Sequence, residues 1–177
     1  MTTSEKIKTA FERNEQALKR QPGLGEKTGK VTINLKDGLC CEVESGPWKF
    51  KSDMSEKTGG TASAPSPGIY EAGALGSCIA IMAKMWAAKL DVPINEIKIE
   101  VEFDTDMSML FGVNGAPSHW KAIRYQVNVE SDAPEADIHN VLDLAHNHSH
   151  VRGDLEHAFH IERKIKIVKP KTQLTTE

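Results

Sequence analysis

The sequence predicts an α+β fold in which mostly antiparallel strands surround one long apolar helix. Two segments, 97–103 and 123–129, alternate strictly between apolar and polar residues, as half-buried strands do. Residues 66–90 form a helical segment that is apolar nearly all round. After an N-terminal helix, the element order is β-β-β-α-β-β-α-α-β, and grouping of strands in this way is typical of the α+β class.

Composition excludes several classes of protein. The chain has 177 residues with 22 Lys+Arg against 25 Asp+Glu, and 39% of its residues are hydrophobic. This length buries a core large enough to fold without disulfides or structural zinc. The near-neutral charge argues against a nucleic-acid partner, and the hydrophobic content argues against a disordered chain. The three cysteines contain no CxxC pair, which excludes a disulfide framework and the usual zinc fingers.

The N-terminal part reads as an extension to the main domain. Residues 4–20 form a predicted helix with Ser4 as its N-cap. Residues 21–30 contain three Gly and one Pro and form a linker, so we divide the chain into a helical extension (1–29) and a domain (30–177). The charged N-terminus does not resemble a signal peptide, and no apolar stretch approaches the ~20 residues of a membrane span. We therefore expect a cytoplasmic protein with reduced thiols and no membrane partner.

The first strands form a predicted hairpin and a neighbour. Apolar residues alternate through 31–35 and 39–43, and Asp37-Gly38 between them is a hairpin signal. Alternation places Cys41 inward and Cys40 outward. A third short strand is expected at 48–51.

The long helix follows a polar loop. Ser66 caps it, Pro67 suits its first turn, and it ends near Leu90. A helix that is apolar on every face is a buried one, so we expect a sheet on one side and a second subunit on the other.

The C-terminal half continues the alternation of strands and helices. The segment between the two alternating strands, 105–121, is either extended strand or a functional flap. A helix opens at Asp132 and Pro134, with a break expected within 146–153 and a short helix through Leu155. A last strand is predicted at 161–167.

Cys78 is the candidate for chemistry. It lies in the long helix among small residues, and as a lone cysteine on an apolar helix it also suits plain packing. The run Ala-Ser-Ala-Pro-Ser-Pro at 62–67, followed by Gly-Ser-Cys at 76–78, resembles the central-helix motif of the OsmC/Ohr family, the osmotically inducible and organic-hydroperoxide-resistance proteins. The resemblance covers roughly 30–168.

The resemblance implies a fold, an assembly and an activity. It implies antiparallel sheets around a long buried central helix, in an intertwined homodimer. It also implies a thiol peroxidase of oxidative-stress defence, in which one cysteine becomes a sulfenic acid and a second closes a disulfide that an external thiol reduces. By the resemblance, Cys78 occupies the peroxidatic position.

The other positions of the family motif differ in this chain. The stretch His148-Ser149-His150-Val151 matches the family's Cys-Pro-Val pattern, so Ser149 stands where the resolving cysteine is expected. Glu71, seven residues before Cys78, is the acid nearest to the family glutamate. The implied cycle is therefore a single-cysteine one, with an external thiol as reductant; Cys41 is the other candidate for a resolving thiol.

Six of the seven histidines lie between His139 and His160. If Ser149 packs near Cys78, His148 or His150 can approach the thiol and favour the thiolate. His146 and His150, one helical turn apart, have the spacing of metal ligands for an ion such as zinc. Solvated residues on a helix face are the third interpretation.

Three functions fit these observations. The first is a single-cysteine peroxide reductase acting through Cys78, with Ser149, His148, His150 and Glu71 as supporting residues and no cofactor. The second is a non-catalytic protein of the same fold that binds a small apolar ligand or a metal near Cys78 and the histidines. The third is a structural dimer with a vestigial site.

Overall fold

The computed structural model describes residues 1–157 and 159–169. Within them the chain forms four α-helices and five strands in the order α1-β1-β2-β3-α2-β4-β5-α3-α4. Their bounds are α1 Thr3–Arg20, β1 Thr32–Asn34, β2 Cys41–Ser45, β3 Trp48–Ser52, α2 Pro67–Lys89, β4 Glu96–Asp104, β5 Ala122–Glu130, α3 Glu135–Asn147 and α4 His150–Glu156. The predicted α+β class with antiparallel sheets is confirmed.

The strands form two antiparallel sheets. The first has the order β1-β2-β3, with Ile33 opposite Val43 and Val43 opposite Phe50. The second pairs β4 with β5 over nine residues, from Glu96 opposite Glu130 to Asp104 opposite Ala122. The strict alternation of both segments appears as alternating burial along each strand.

The core lies where α2 meets α3 and the β4-β5 sheet. Ala83, Ala87, Val141 and Ala145 are buried together, and small residues let the two helices approach closely. Towards the sheet, Gly76 of α2 leaves room for Val101: a Cβ at position 76 would lie 3.1 Å from its side chain.

The long helix has the predicted bounds and packs against α1, α3, α4 and β4, but part of its apolar surface stays exposed in the single chain. Seven of its residues are buried: Ala72, Leu75, Gly76, Ile79, Ala83, Ala87 and Ala88. Ile69 and Ile81 on other faces are 54% and 60% exposed. The expectation of a helix buried all round is therefore not met by one chain alone.

The predicted last strand is absent from the described part of the chain. Residues 159–169 have no assigned strand, and Ile161, Ile165 and Ile167 are 86%, 69% and 89% exposed. A strand needs a neighbouring edge to pair with, and residues 159–169 pair with none of the described strands. Residues 170–177, the end of the predicted 30–177 domain, lie outside the described residues.

The remaining elements are present, but the predicted cap of α1 is wrong: Thr2, and not Ser4, is its N-cap, because the Thr2 hydroxyl accepts a hydrogen bond from the Glu5 backbone N–H. Ser66 precedes α2 as predicted, although its side chain makes no capping hydrogen bond.

The segment 105–121 is a loop with a short 3-10 turn at Met107–Met109. The break in the C-terminal helices falls at His148-Ser149, inside the predicted interval. None of the helices in the described ranges has the length and apolar character that crossing a membrane requires.

Candidate functional site

The candidate site is a thiol and an imidazole brought together by two helices. Cys78 lies in the middle of α2 and is partly exposed. Its Sγ is 3.6 Å from Nδ1 of His150, the first residue of α4 and 72 residues further along the chain. This separation suits a hydrogen bond that involves sulfur, so a proton can pass directly between the two groups.

The position of His150 follows from the break between α3 and α4. Ser149 is 2% exposed and caps α4, since its Oγ accepts a hydrogen bond from the Arg152 backbone N–H at 3.3 Å. A serine at the N-cap satisfies one of the free amides of a helix start. The residue that the family resemblance places at the resolving position is therefore a buried cap that helps to set where His150 begins α4.

His148 lies on the same turn but makes other contacts. Its ring lies 4.9 Å from the ring of Trp86, and its Nδ1 is 2.8 Å from the carbonyl oxygen of Leu144. Of the two histidines predicted to approach the thiol, the structure thus places His150 beside Cys78 and directs His148 to Trp86.

His146 belongs to a separate polar network. Its Nδ1 is 2.6 Å from the Tyr125 hydroxyl, and its Nε2 is 3.3 Å from Nη1 of Arg152. Burial raises the pKa of Tyr125. His146 and His150, predicted as metal ligands, therefore have different partners, and no group of three or more His, Cys, Asp or Glu side chains in 1–157 and 159–169 is arranged to hold a metal ion.

Glu71 is exposed near the N-terminal end of α2. This end of the helix borders a groove of about 720 Å³. The groove is lined mainly by apolar side chains from the 105–121 loop and the adjoining strands. They include Phe103, Met107, Met109, Leu110, Trp120 and Ile123. Glu71 thus borders this groove, whereas Cys78 contacts His150 two turns further along α2.

The other two cysteines lie in the first sheet region. Cys41 begins β2 opposite Ser52, and Cys40 Sγ lies 3.5 Å from the Ser63 hydroxyl. All three cysteines are free thiols. The structure gives neither Cys40 nor Cys41 a contact with Cys78.

Asp53 is a buried residue of the loop before α2 that sequence reasoning missed. It is 1% exposed, and its Oδ2 accepts hydrogen bonds from the backbone and hydroxyl groups of both Thr61 and Ser63 at 2.6–3.2 Å. The bond from the Thr61 hydroxyl is the largest of the effects that hold the pKa of Asp53 below its usual range. Asp53 therefore shapes the loop from which α2, and with it Cys78, begins.

Gly60 completes this loop because no other residue fits there. A Cβ at Gly60 would lie 2.0 Å from the carbonyl oxygen of Met54. The sequence signal for this loop is an Asp followed by Thr and Ser in a polar segment with Gly59-Gly60. Side chains of these types often form hydrogen bonds with the backbone of a loop.

Comparisons with known proteins agree on one family. A family model described as OsmC-like protein matches residues 60–164, more than half of the chain. No curated protein matches the sequence. The matched segment includes α2, the β4-β5 sheet and both C-terminal helices, whereas α1 lies outside it.

Solved structures show the same fold at low identity. An OsmC-like protein from Mycoplasma pneumoniae is 16% identical, with a TM-score of 0.63 over 74% of this chain and 89% of that one. An OsmC-like protein of unknown function from Vibrio cholerae is 13% identical, with a TM-score of 0.57 over 74% and 95%. An organic hydroperoxide resistance protein from Legionella pneumophila is 12% identical, with a TM-score of 0.53 over 73% and 89%. The α+β architecture, the Cys78 motif and the family match together lead to one conclusion: the chain belongs to the OsmC-like family.

Proposed function

We propose that this protein is a thiol-dependent hydroperoxide reductase in which Cys78 is the nucleophile and His150 its proton partner. The observation that carries the proposal is the 3.6 Å separation between Cys78 Sγ and His150 Nδ1. Partial exposure of Cys78 admits a small substrate. The family membership and the Legionella relative, named as an organic hydroperoxide resistance protein, support the same chemistry.

The pair can carry out the oxidation in one displacement. His150 takes the proton of Cys78, and the thiolate attacks the terminal oxygen of a hydroperoxide, ROOH. The S–O bond forms as the O–O bond breaks, and the leaving alkoxide takes the proton from His150 to give ROH. Sulfur is oxidised to a sulfenic acid, the peroxide is reduced by two electrons, and the imidazole returns to its starting form.

An external thiol completes the proposed cycle. A first thiol condenses with the sulfenic acid to give a mixed disulfide and water, and a second releases Cys78 as a thiol together with the oxidised reductant. An external reductant is required because Ser149 at the resolving position has no thiol and caps α4. The proposed cycle needs no metal or organic cofactor.

We further propose an organic hydroperoxide as the substrate, with its hydrocarbon part in the groove that Glu71 borders, about two helical turns before Cys78 on α2. Its apolar lining, with Met107, Met109 and Trp120, suits the hydrocarbon part of an organic hydroperoxide. Pro67 and Gly68, at the start of the helix that carries Cys78, also line it. We place the role of the protein in defence against oxidative stress in the cytoplasm, where thiols are kept reduced.

A homodimer is part of the same proposal. Ile69 and Ile81 of α2 and the unpaired segment with Ile161, Ile165 and Ile167 are more than half exposed in one chain. Several large apolar side chains exposed on one helix and one segment suit an interaction surface. A second copy of the chain covers α2 and pairs with the last segment, as the family resemblance implies.

The test is peroxide turnover with a small dithiol as the only reductant. The proposal predicts that Cys78→Ser abolishes consumption of an organic hydroperoxide, whereas a protein with both Cys40→Ser and Cys41→Ser retains it. Loss of turnover in the second protein would show that the single-cysteine cycle is wrong. Equal turnover in all three proteins would show that Cys78 is not the nucleophile.

A further inference from the structure

Arg152 is the centre of a polar network that neither the family motif nor the proposed reaction uses. One nitrogen of its guanidinium, Nη1, contacts both Nε2 of His146 at 3.3 Å and Oε2 of Glu156 at 2.7 Å. His146 in turn contacts Tyr125 at 2.6 Å. The network therefore joins the end of α3, the length of α4 and strand β5.

The guanidinium is mostly buried, which calls for an explanation. The Arg152 side chain is 22% exposed, and its Nε is buried without a hydrogen-bond partner among the described residues. Burial of a charge that is incompletely paired destabilises a protein. An arginine at this position is thus poorly explained by stability alone, which favours a role in holding its neighbours.

We propose that Arg152 is a positioning residue for the thiol chemistry at Cys78. Its side chain fixes the tautomer of His146 and the position of α4, and the position of α4 determines how His150 approaches Cys78. The inference rests on the proposed function, because it takes Cys78 and His150 as the reacting pair. The inference adds Arg152, two positions after His150 on α4, as the residue that keeps this pair together.

Hydrogen-bond chemistry fixes the state of His146. A guanidinium only donates, so Nε2 of His146 accepts from Arg152 and the ring proton resides on Nδ1. Nδ1–H then donates to the hydroxyl oxygen of Tyr125. The groups that face this imidazole are Tyr125 from β5 and, from α4, Arg152 with Glu156 behind it. His146 is thereby committed to a structural bond.

The same residue determines where α4 lies. The backbone N–H of Arg152 is the group that the Ser149 cap binds, and its side chain ties α4 back to α3 through His146. These bonds fix the backbone of α4 on both sides of His150, and so they set the point from which its side chain reaches Cys78. A displacement of about 1 Å at a reacting group can lower a rate roughly a hundredfold.

The first measurement uses the unaltered protein. Nitrogen-15 NMR of the histidine rings distinguishes the two neutral tautomers and the charged form. The inference predicts that the neutral ring of His146 is the Nδ1–H tautomer. An Nε2–H tautomer would overturn it, since Arg152 could then not donate to that nitrogen.

The second measurement is the alkylation rate of Cys78 in protein with Cys40→Ser and Cys41→Ser. Arg152→Met keeps the apolar stem and removes every donor; we expect alkylation to slow roughly tenfold or more and His146 to lose its single tautomer. Arg152→Lys, which keeps a donor and the charge, is expected to restore most of both. Arg124→Gln is the matched control, because Arg124 pairs with Glu102 and Asp104 on the exposed face of the sheet.

A double variant separates positioning from general damage. If Arg152 acts through His150, adding Arg152→Met to His150→Asn changes the rate by no more than about twofold. The inference would be overturned if Arg152→Met slowed alkylation in the His150→Asn protein by as large a factor as it does when His150 is present. Slow alkylation in His150→Asn with normal alkylation in Arg152→Met would contradict the inference alone, whereas normal alkylation in His150→Asn would also contradict the proposed function.

Discussion

A single buried carboxylate organises the loop that leads into α2. Asp53 accepts five hydrogen bonds from three residues: Met54, Thr61 and Ser63. These donors stabilise the charged form and lower its pKa. The stabilisation is therefore complete above the ordinary pKa of 3.8 and is lost as the pH falls below it.

We predict that Asp53→Ala lowers the unfolding temperature by roughly 5 °C at pH 7, because five donors lose their acceptor. The difference between variant and wild type is expected to shrink below about pH 4. Calorimetry across this range measures both. Asp104→Ala, which removes an exposed partner of Arg124, is the control and should have little effect. A pH-independent difference for Asp53→Ala would contradict this account of the loop.

The histidines show what residue patterns can and cannot predict. The motif around Cys78 predicts a reactive thiol, which stays a prediction, and the structure places His150 beside it. The i, i+4 spacing of His146 and His150 suggested one shared face, but the helix breaks at His148-Ser149 and directs the rings to different partners. Spacing fixes relative positions only within an unbroken helix. The contact of Arg152 with His146 and the bonds of Asp53 were missed because these partners lie on another helix or in an irregular loop.

The extension α1 is an element attached to the family fold by defined contacts. Phe11 packs against Trp86 with ring centroids 4.9 Å apart, and Glu15 pairs with Lys89 at the end of α2. The bond from Lys89, followed by that from Lys19, lowers the pKa of Glu15 to about 2. The ion pairs of Glu15 therefore support docking above its ordinary pKa of 4.5 and are lost as the pH falls towards 2.

We predict that α1 loosens from Trp86 as the pH falls from 4.5 towards 2. Trp86 emission in protein with Trp48→Phe and Trp120→Phe reports this step. Glu15→Gln should weaken the Phe11–Trp86 contact already at pH 6 and remove the acid transition. Glu12→Gln, a neutralised acid on the same helix, is the matched control. An unchanged acid transition in Glu15→Gln would show that Glu15 does not hold α1.

Strands could be predicted from the sequence where the same chain supplies the strand with which they pair. Strands β4 and β5 pair with each other, so their alternation was sufficient to place them. The segment around Ile165 has the same alternation, but it pairs with none of the described strands and forms no strand itself among the described residues. The alternation of apolar and polar residues predicts which face of a strand becomes buried. It does not tell whether the same chain or a second copy covers that face.

At the scale of the whole molecule, the exposed apolar side chains of α2 lead us to predict a homodimer interface on this helix. We expect wild-type protein to have a mass near 39 kDa in light scattering, twice the 19.5 kDa of one chain. Ile81→Arg places a charge at this face and should give a 19.5 kDa species or a strongly weakened dimer. Thr9→Arg on the exposed side of α1 is the control. A wild-type monomer would contradict the proposed assembly.

The central claim, that Cys78 and His150 react as a pair, is tested most directly by a single turnover. Protein with Cys40→Ser and Cys41→Ser receives one equivalent of an organic hydroperoxide, and the sulfenic acid is trapped by a dione reagent and located by mass spectrometry. The account predicts one trapped sulfenic acid per chain at Cys78, formed roughly a hundredfold more slowly in His150→Asn and at the normal rate in His148→Asn. No sulfenic acid at Cys78, or equal rates in the two histidine variants, would contradict it.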